Sequence, residues 1–437
     1  MLRRALPGVY EGWIVVAASG FLILTVGSTF FWGIGAIFKD MTDEFGWTVA
    51  ATAFAFSLRT EVSGVAAPVI GAFIDRFGTR ISMVAGVLVT VAGFVAISLV
   101  QNLAQFYAAM VLTAIGTSAC GYPVAFAATA TWFNRRRSTA MALITIGGAI
   151  GGVFAVVVGQ LAEVYGWRVA MQLLAAGMLA VGVVGALQVR SRPADHPQPI
   201  DGAPAPEVAP AGAPRAPVAA WGVPVLPAVL SRSFILMSLG VIALTFATNA
   251  VVVHQIAYLE RELGTSKTLA ATSVTLFSIV SISGRLGIGV LADRFSKRVM
   301  LAFTAVLTAI GLPILAVADS FPMAMLGALV IAPAFGGLLP VRPAILADYF
   351  GTKHFGTING IAMLVTTTGG AAGPWFVGRM VDVTGAYALG WWVCAGLAVL
   401  AIPLLLLSTP PAALIARYGA DDEPGEAGGA PLIASTH

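Results

Sequence analysis

Charged side chains are scarce in this chain. Only 10% of its 437 residues are Asp, Glu, Lys or Arg, against 58% hydrophobic ones. A soluble protein carries about 25% charged residues, so composition alone excludes an ordinary water-facing globule. Cysteine is nearly absent too. Cys120 and Cys394 both fall inside apolar runs, without the spacing of a metal site or of a disulfide framework, and read as packing residues. No nucleophile–base pair, metal cluster or phosphate loop stands out, and the Gly-rich runs lie within apolar segments. No enzyme is expected, and no cofactor, metal or dinucleotide site. A pI near 9.2 raises nucleic acid as a partner. The basic residues, however, are dispersed between apolar segments, and a membrane topology accounts for them better.

What the chain has in excess is apolar length, with a mean hydropathy of +0.90. A hydrocarbon core is crossed by about 20 apolar residues in a helix. Runs of that kind centre on residues 25, 62, 90, 117, 149 and 178, and again on 246, 280, 308, 334, 368 and 397. The reading is an all-α integral membrane protein with twelve transmembrane helices in two bundles of six. Residues 1–190 form the first bundle and 233–410 the second. A Pro- and Ala-rich linker, 191–232, joins them, and 411–437 form a disordered tail. Most of the 24 Lys and Arg, among them Arg76, Arg80, Arg135, Arg136, Arg137, Arg294, Lys297 and Arg298, fall on one set of loops. That asymmetry predicts a multi-pass protein of the inner (plasma) membrane with both termini in the cytoplasm, its only constant partner being lipid.

The halves repeat. GAFIDRFGTR, Gly71 to Arg80, returns as GVLADRFSKR, Gly289 to Arg298, at an offset of 218 residues. The end of span four and start of span five, around Phe133, is echoed around Phe350 at 217. Two matches at nearly one offset mark an internal duplication, which places a binding site near mid-depth between the halves. The repeat also sorts residues: a feature present in both halves belongs to scaffold or gate, one present in a single half can touch an asymmetric substrate.

Arg285 and Arg342 are unmirrored; subtracting 218 gives Ala67 and Val124. Arg285 lies eight residues before Asp293, about 12 Å along a helix, in an otherwise apolar span. A guanidinium stays ionised, so a carboxylate, water or an anionic ligand must face it. Its planar fork suits a carboxylate. Arg342, between Pro340 and Pro343, either touches substrate or braces backbone carbonyls that the prolines free. Arg59 and Glu61 sit two apart in span two, about 200° around the helix, and so need partners elsewhere. Glu61 is a candidate proton carrier with Arg59 as modulator, or else the counterion of Arg285 or Arg342. His254 in span seven can share in proton coupling or donate to a carboxylate. Tyr122 and Trp375, with Phe30, Phe31 and Trp32, are candidates for shaping a small cavity.

GxxxDRxGxR after span two, with its degenerate copy after span eight, resembles the signature of the major facilitator superfamily. That resemblance implies alternating access by two six-helix bundles, with Asp75, Arg76, Arg80, Asp293 and Arg294 as gate residues. Glu11-Gly12-Trp13, Trp132-Phe133 before Arg135, and Arg285 itself resemble the monocarboxylate porters and the oxalate/formate antiporters. The lysines that some of these carry are missing: span one reads Phe31-Trp32-Gly33, and span eleven TTTGGAAGPWFVG. The resemblance implies a monomeric secondary transporter moving a small organic anion, a monocarboxylate such as lactate or pyruvate, with a proton. Anion exchange is the alternative; drug export and a non-transporting sensor rank lower.

Overall fold

A computed structural model of the chain describes residues 9–29, 38–151, 155–190, 200–202 and 221–419. Phe30, Phe31 and Trp32 lie outside these residues, as do most of the linker and 420–437.

Among the described residues, nine helices are long and apolar enough to cross a membrane. They are Glu11–Thr29, Thr79–Ser98, Leu103–Trp132, Trp167–Gln188, Arg232–Leu263, Lys267–Arg294, Lys297–Ala316, Phe321–Phe350 and Ala388–Leu407. Three more complete the expected twelve. Span two, Val49–Phe77, carries Arg59, Glu61 and Asp75; span five runs Arg137–Ile150 and then Ala155–Tyr165; span eleven is Phe355–Thr384. Helices suit this solvent because hydrocarbon offers no partner to a backbone N–H or C=O. Their ends are finished by local chemistry. The hydroxyls of Thr48, Ser231 and Ser266 accept from the N–H three residues on, satisfying donors that a helix leaves over. Gly264 and Gly385 close spans seven and eleven at φ of 60° and 78°, a conformation that a Cβ disfavours.

With an even number of crossings, the outer ends of spans one and twelve share a face with the linker; it is called the near face here. The halves are joined by spans two and eleven on one side and by spans five, eight and ten on the other. Glycine makes the first contact possible: a Cβ on Gly71 would stand 2.1 Å from the Gly356 carbonyl oxygen, and one on Gly360 2.3 Å from that of Ala67. Ala67, the repeat equivalent of Arg285, is thus pressed into a tight helix crossing.

Ala412–Gly419, expected as part of a disordered tail, is a short helix. Leu414 and Tyr418 lean on the core, and Ile415 N–H bonds the Pro411 carbonyl at 3.0 Å. Two apolar side chains on one helical face suffice to hold it there.

Candidate functional site

Several of the unmirrored residues sit at one depth. Arg285 is nine residues from the near end of span eight, Thr145 eight from that of span five, Tyr122 ten from that of span four and Arg342 eight from that of span ten. At 1.5 Å per residue these lie about 12–15 Å in, close to mid-bilayer.

Span four is broken there. Leu103–Cys120 and Tyr122–Trp132 are separate helices joined at Gly121, which takes an extended conformation (φ −88°, ψ −154°). A Cβ on Gly121 would approach the Thr117 carbonyl to 2.5 Å, and Pro123 starts the second helix without needing an N–H partner. Tyr122 therefore opens a half-helix in the middle of the protein. Its ring stacks on Phe126 at 5.6 Å, and its hydroxyl lies against Gly148, where a Cβ would stand 2.1 Å away.

That hydroxyl is near enough to the Arg285 guanidinium to feel its charge. Arg285 donates from Nη1 to the Thr145 carbonyl at 2.6 Å. A side chain of the second half is thereby held by the backbone of the first, with the phenol nearby. Its Nε is buried without a hydrogen-bond partner, and among the described residues no carboxylate pairs with it. A hydrogen bond to a neutral carbonyl orients the fork but leaves its charge uncompensated in a region of low dielectric.

Arg342 is buried within the second half. Nη1 donates to the Thr366 hydroxyl at 2.9 Å, and that hydroxyl donates to the Ala362 carbonyl at 2.8 Å. Span ten runs unbroken through Pro333, Pro340 and Pro343, so the bond goes to a side chain of span eleven rather than to carbonyls of its own helix. Here too Nε is buried and unpartnered.

Other sequence candidates lie at a second level. Arg59 and Glu61 are 18 and 16 residues from the near end of span two, His254 is 22 from that of span seven, and Trp375 20 from that of span eleven. They stand about 24–33 Å in. No ion pair joins Glu61, whose side chain is exposed, to Arg285 or Arg342. The height difference, about 10 Å, is the reason. His254 has both ring nitrogens engaged: Nε2 with the Pro374 carbonyl at 2.8 Å and Nδ1 with the Tyr387 hydroxyl at 3.4 Å. Trp375 is 71% exposed.

At the near face the two repeated aspartates make equivalent contacts. Asp75 accepts from the N–H groups of Gly356 and Thr357, each at 2.8 Å, and from the Thr357 hydroxyl at 2.6 Å. Asp293 accepts from the N–H groups of Ser138 and Thr139, each at 2.8 Å. Each carboxylate thus caps the first turn of a helix in the opposite half, where the helix dipole favours negative charge. Arg76 and Arg294 are exposed, and Arg76 lies over the Phe77 ring at 5.3 Å. Arg80 is exposed as well. A further ionic cluster has no mirror image: Asp348 of span ten pairs with Arg137 of span five and, at 2.6 Å, with Lys297 of span nine.

The comparisons match this architecture. The profile of the Major Facilitator Superfamily matches residues 20–255 and 236–433. The chain belongs to that superfamily. Human monocarboxylate transporter 11 is 29% identical over 399 residues, covering 88% of this chain and 80% of the relative. Bovine monocarboxylate transporter 13 is 28% identical over 407, covering 91% and 89%. The E. coli fucose:proton symporter, at 15% identity, shares the fold with a TM-score of 0.67, covering 91% of this chain and 98% of that one. This major facilitator protein is a multi-pass transporter and not an enzyme.

Gly121, Thr145, Thr366 and Asp348 belong to the site without being among the residues that the sequence marks out. Gly121-Tyr122-Pro123 in mid-span was the available signal for the break in span four, since Gly and Pro together interrupt a helix. Thr145 contributes only a backbone carbonyl, which every residue has, and nothing in the sequence could mark it.

Proposed function

We propose that this major facilitator protein is a secondary transporter of a small organic anion, a monocarboxylate of the lactate or pyruvate kind, moved together with a proton by alternating access. The single observation that carries the reading is Arg285: a permanent cation at mid-depth, oriented by the Thr145 carbonyl and near the Tyr122 hydroxyl, with no carboxylate partner among the described residues. A travelling carboxylate supplies the missing charge, and the fork binds it through two parallel N–H bonds. The relatives named as monocarboxylate transporters support the substrate class.

In this scheme Arg285 and Tyr122 hold the carboxylate, and Arg342 raises the positive potential at the same depth. One level away, Glu61 with Arg59 takes the proton, while His254 fixes span eleven beside Trp375. The capping aspartates hold the near face shut, so the anion enters from the far side. The near face is cytoplasmic, the membrane is the plasma membrane, and the transporter works as a monomer.

Uptake of labelled carboxylates into proteoliposomes, with and without an inward proton gradient, tests this. Lactate or pyruvate accumulation driven by the gradient is the expected result; no uptake of any small carboxylate would overturn it. Two arginines at one level also suit a dicarboxylate exchanged for a monocarboxylate. Counterflow from preloaded vesicles without a proton gradient would favour that alternative.

A further inference from the structure

Two described pieces of the segment between the halves each rest on a turn between spans. Asp201 accepts from the Asn134 N–H at 3.1 and 3.2 Å and from the Arg135 N–H at 2.9 Å, at the turn between spans four and five. The Trp221 carbonyl accepts from the Thr352 and Lys353 N–H groups at 2.9 and 3.2 Å, at the turn between spans ten and eleven. The repeat offset changes within this turn, from 217 at Phe133/Phe350 to 218 at Ser138/Gly356, so Thr352 and Lys353 correspond to Asn134 and Arg135 to within one residue. The linker fills backbone donors of the equivalent turn in both halves.

The two ends differ in kind. At Trp221 the contact is backbone on backbone: Gly222 bridges Gly351, Val223 N–H bonds the Phe350 carbonyl at 2.9 Å, and Val223 is fully buried. Gly222 leaves no slack, since a Cβ there would stand 2.7 Å from that of Lys353. At Asp201 the contact is one carboxylate on exposed N–H groups, from a residue at φ 60°, a conformation that Asp tolerates and most residues avoid. Water competes well for such a bond, so this is the end that can let go.

Its location gives the release a consequence. Within residues 134–139, Asp201 binds the first two N–H groups, Asp348 pairs with Arg137, and Asp293 caps Ser138 and Thr139. Three carboxylates from outside the first half converge on six residues. We propose that the two described pieces are seats of unequal strength, Trp221–Val223 fixed at Gly351–Lys353 and Asp201 a releasable pin, and that the pin holds the 134–139 turn in the shape that Asp293 and Asp348 require. Opening of the near face then needs Asp201 to undock.

Amide hydrogen exchange on the full chain in lipid nanodiscs tests the pin, comparing wild type with Asp201→Ala. Exchange at Asn134 and Arg135 is expected to rise about tenfold or more, the loss of a charge-assisted bond. Exchange at Ser138 and Thr139 should rise with it, while Thr352 and Lys353 stay protected. Unchanged exchange at Asn134 and Arg135 would remove the pin. A rise confined to those two would make the linker a passenger rather than a part of the latch. An equal rise at Thr352 and Lys353 would mean general loosening, and also overturns the proposal. Gly222→Val, which disturbs only the other seat, should give the converse pattern.

Discussion

Arg285 reaches from one half of the molecule to the other and donates to the backbone carbonyl of Thr145 at 2.6 Å. A carbonyl can orient a guanidinium but cannot neutralise it. The same two helices meet again at the near face, where Asp293 caps Ser138 and Thr139. The half-to-half contact that positions the cation is therefore continuous with the contact that joins the halves at the near face.

Replacing Arg285 by Lys keeps the charge and removes the planar fork. Uptake of the labelled carboxylate is expected to fall about 10- to 100-fold, the loss of a charge-assisted pair of hydrogen bonds, with folded yield unchanged. Near-normal uptake would refute the carboxylate assignment.

Gly148→Ala puts a methyl group 2.1 Å from the Tyr122 hydroxyl oxygen. The ring must move, and the surroundings of Arg285 change. Uptake should fall more in Gly148→Ala than in Tyr122→Phe, and the double variant should resemble Tyr122→Phe, because removing the hydroxyl removes most of the clash. Additive losses would show that the two residues are not coupled.

Asp348→Asn withdraws the partner of both Arg137 and Lys297. Arg137 is 6% exposed and keeps its bonds to the Phe133 and Ala130 carbonyls at 2.9 and 3.3 Å. The expected loss is about 2–4 kcal/mol, somewhat below that of a wholly broken buried pair. A thermal unfolding curve in detergent reads it as a lowered Tm. Lys297→Met should cost less, since the Arg137–Asp348 pair survives; the reverse order would contradict the reading.

Glu44, in the short helix Phe38–Phe45 before span two, titrates outside the spans. Hydrogen bonds from Arg168 and from the Trp167 indole, the latter at 2.6 Å, hold its carboxyl below the usual range. With the folded value depressed, its stabilisation is present above the ordinary carboxylate pKa and disappears as pH falls through the lower folded one. Half-exposure keeps the effect under about 1 kcal/mol. Wild type should therefore lose its Tm advantage over Glu44→Gln as pH is lowered from 6 towards about 3; an advantage that grew would reverse the assignment.

The spans, the duplication and the unmirrored arginines were legible because each is written along the chain. Apolar length decides what enters lipid, and an offset of 218 needs only counting. Asp75 and Asp293 stand out along the chain as a repeated pair suited to accept at a helix end, but which ends they cap is not written there, since the N–H groups they bind belong to the other half. Arg342 between two prolines invited a backbone role; the fold gave it the Thr366 hydroxyl instead, because span ten continues as a helix through both. The first residues of the tail were read as disordered and form a helix, because the core surface they lean on exists only after folding.

Sequence by itself determined the solvent, the number of crossings and the presence of a guanidinium that hydrocarbon cannot accommodate alone. Only the tertiary structure decided what stands around that guanidinium: the Thr145 carbonyl and the Tyr122 phenol, brought from the other half to one depth. The reason is physical. Hydrophobicity and periodicity act along a helix and can be read residue by residue, whereas the partner of a charge depends on which backbone and side-chain oxygens two packed helices happen to bring within 3 Å.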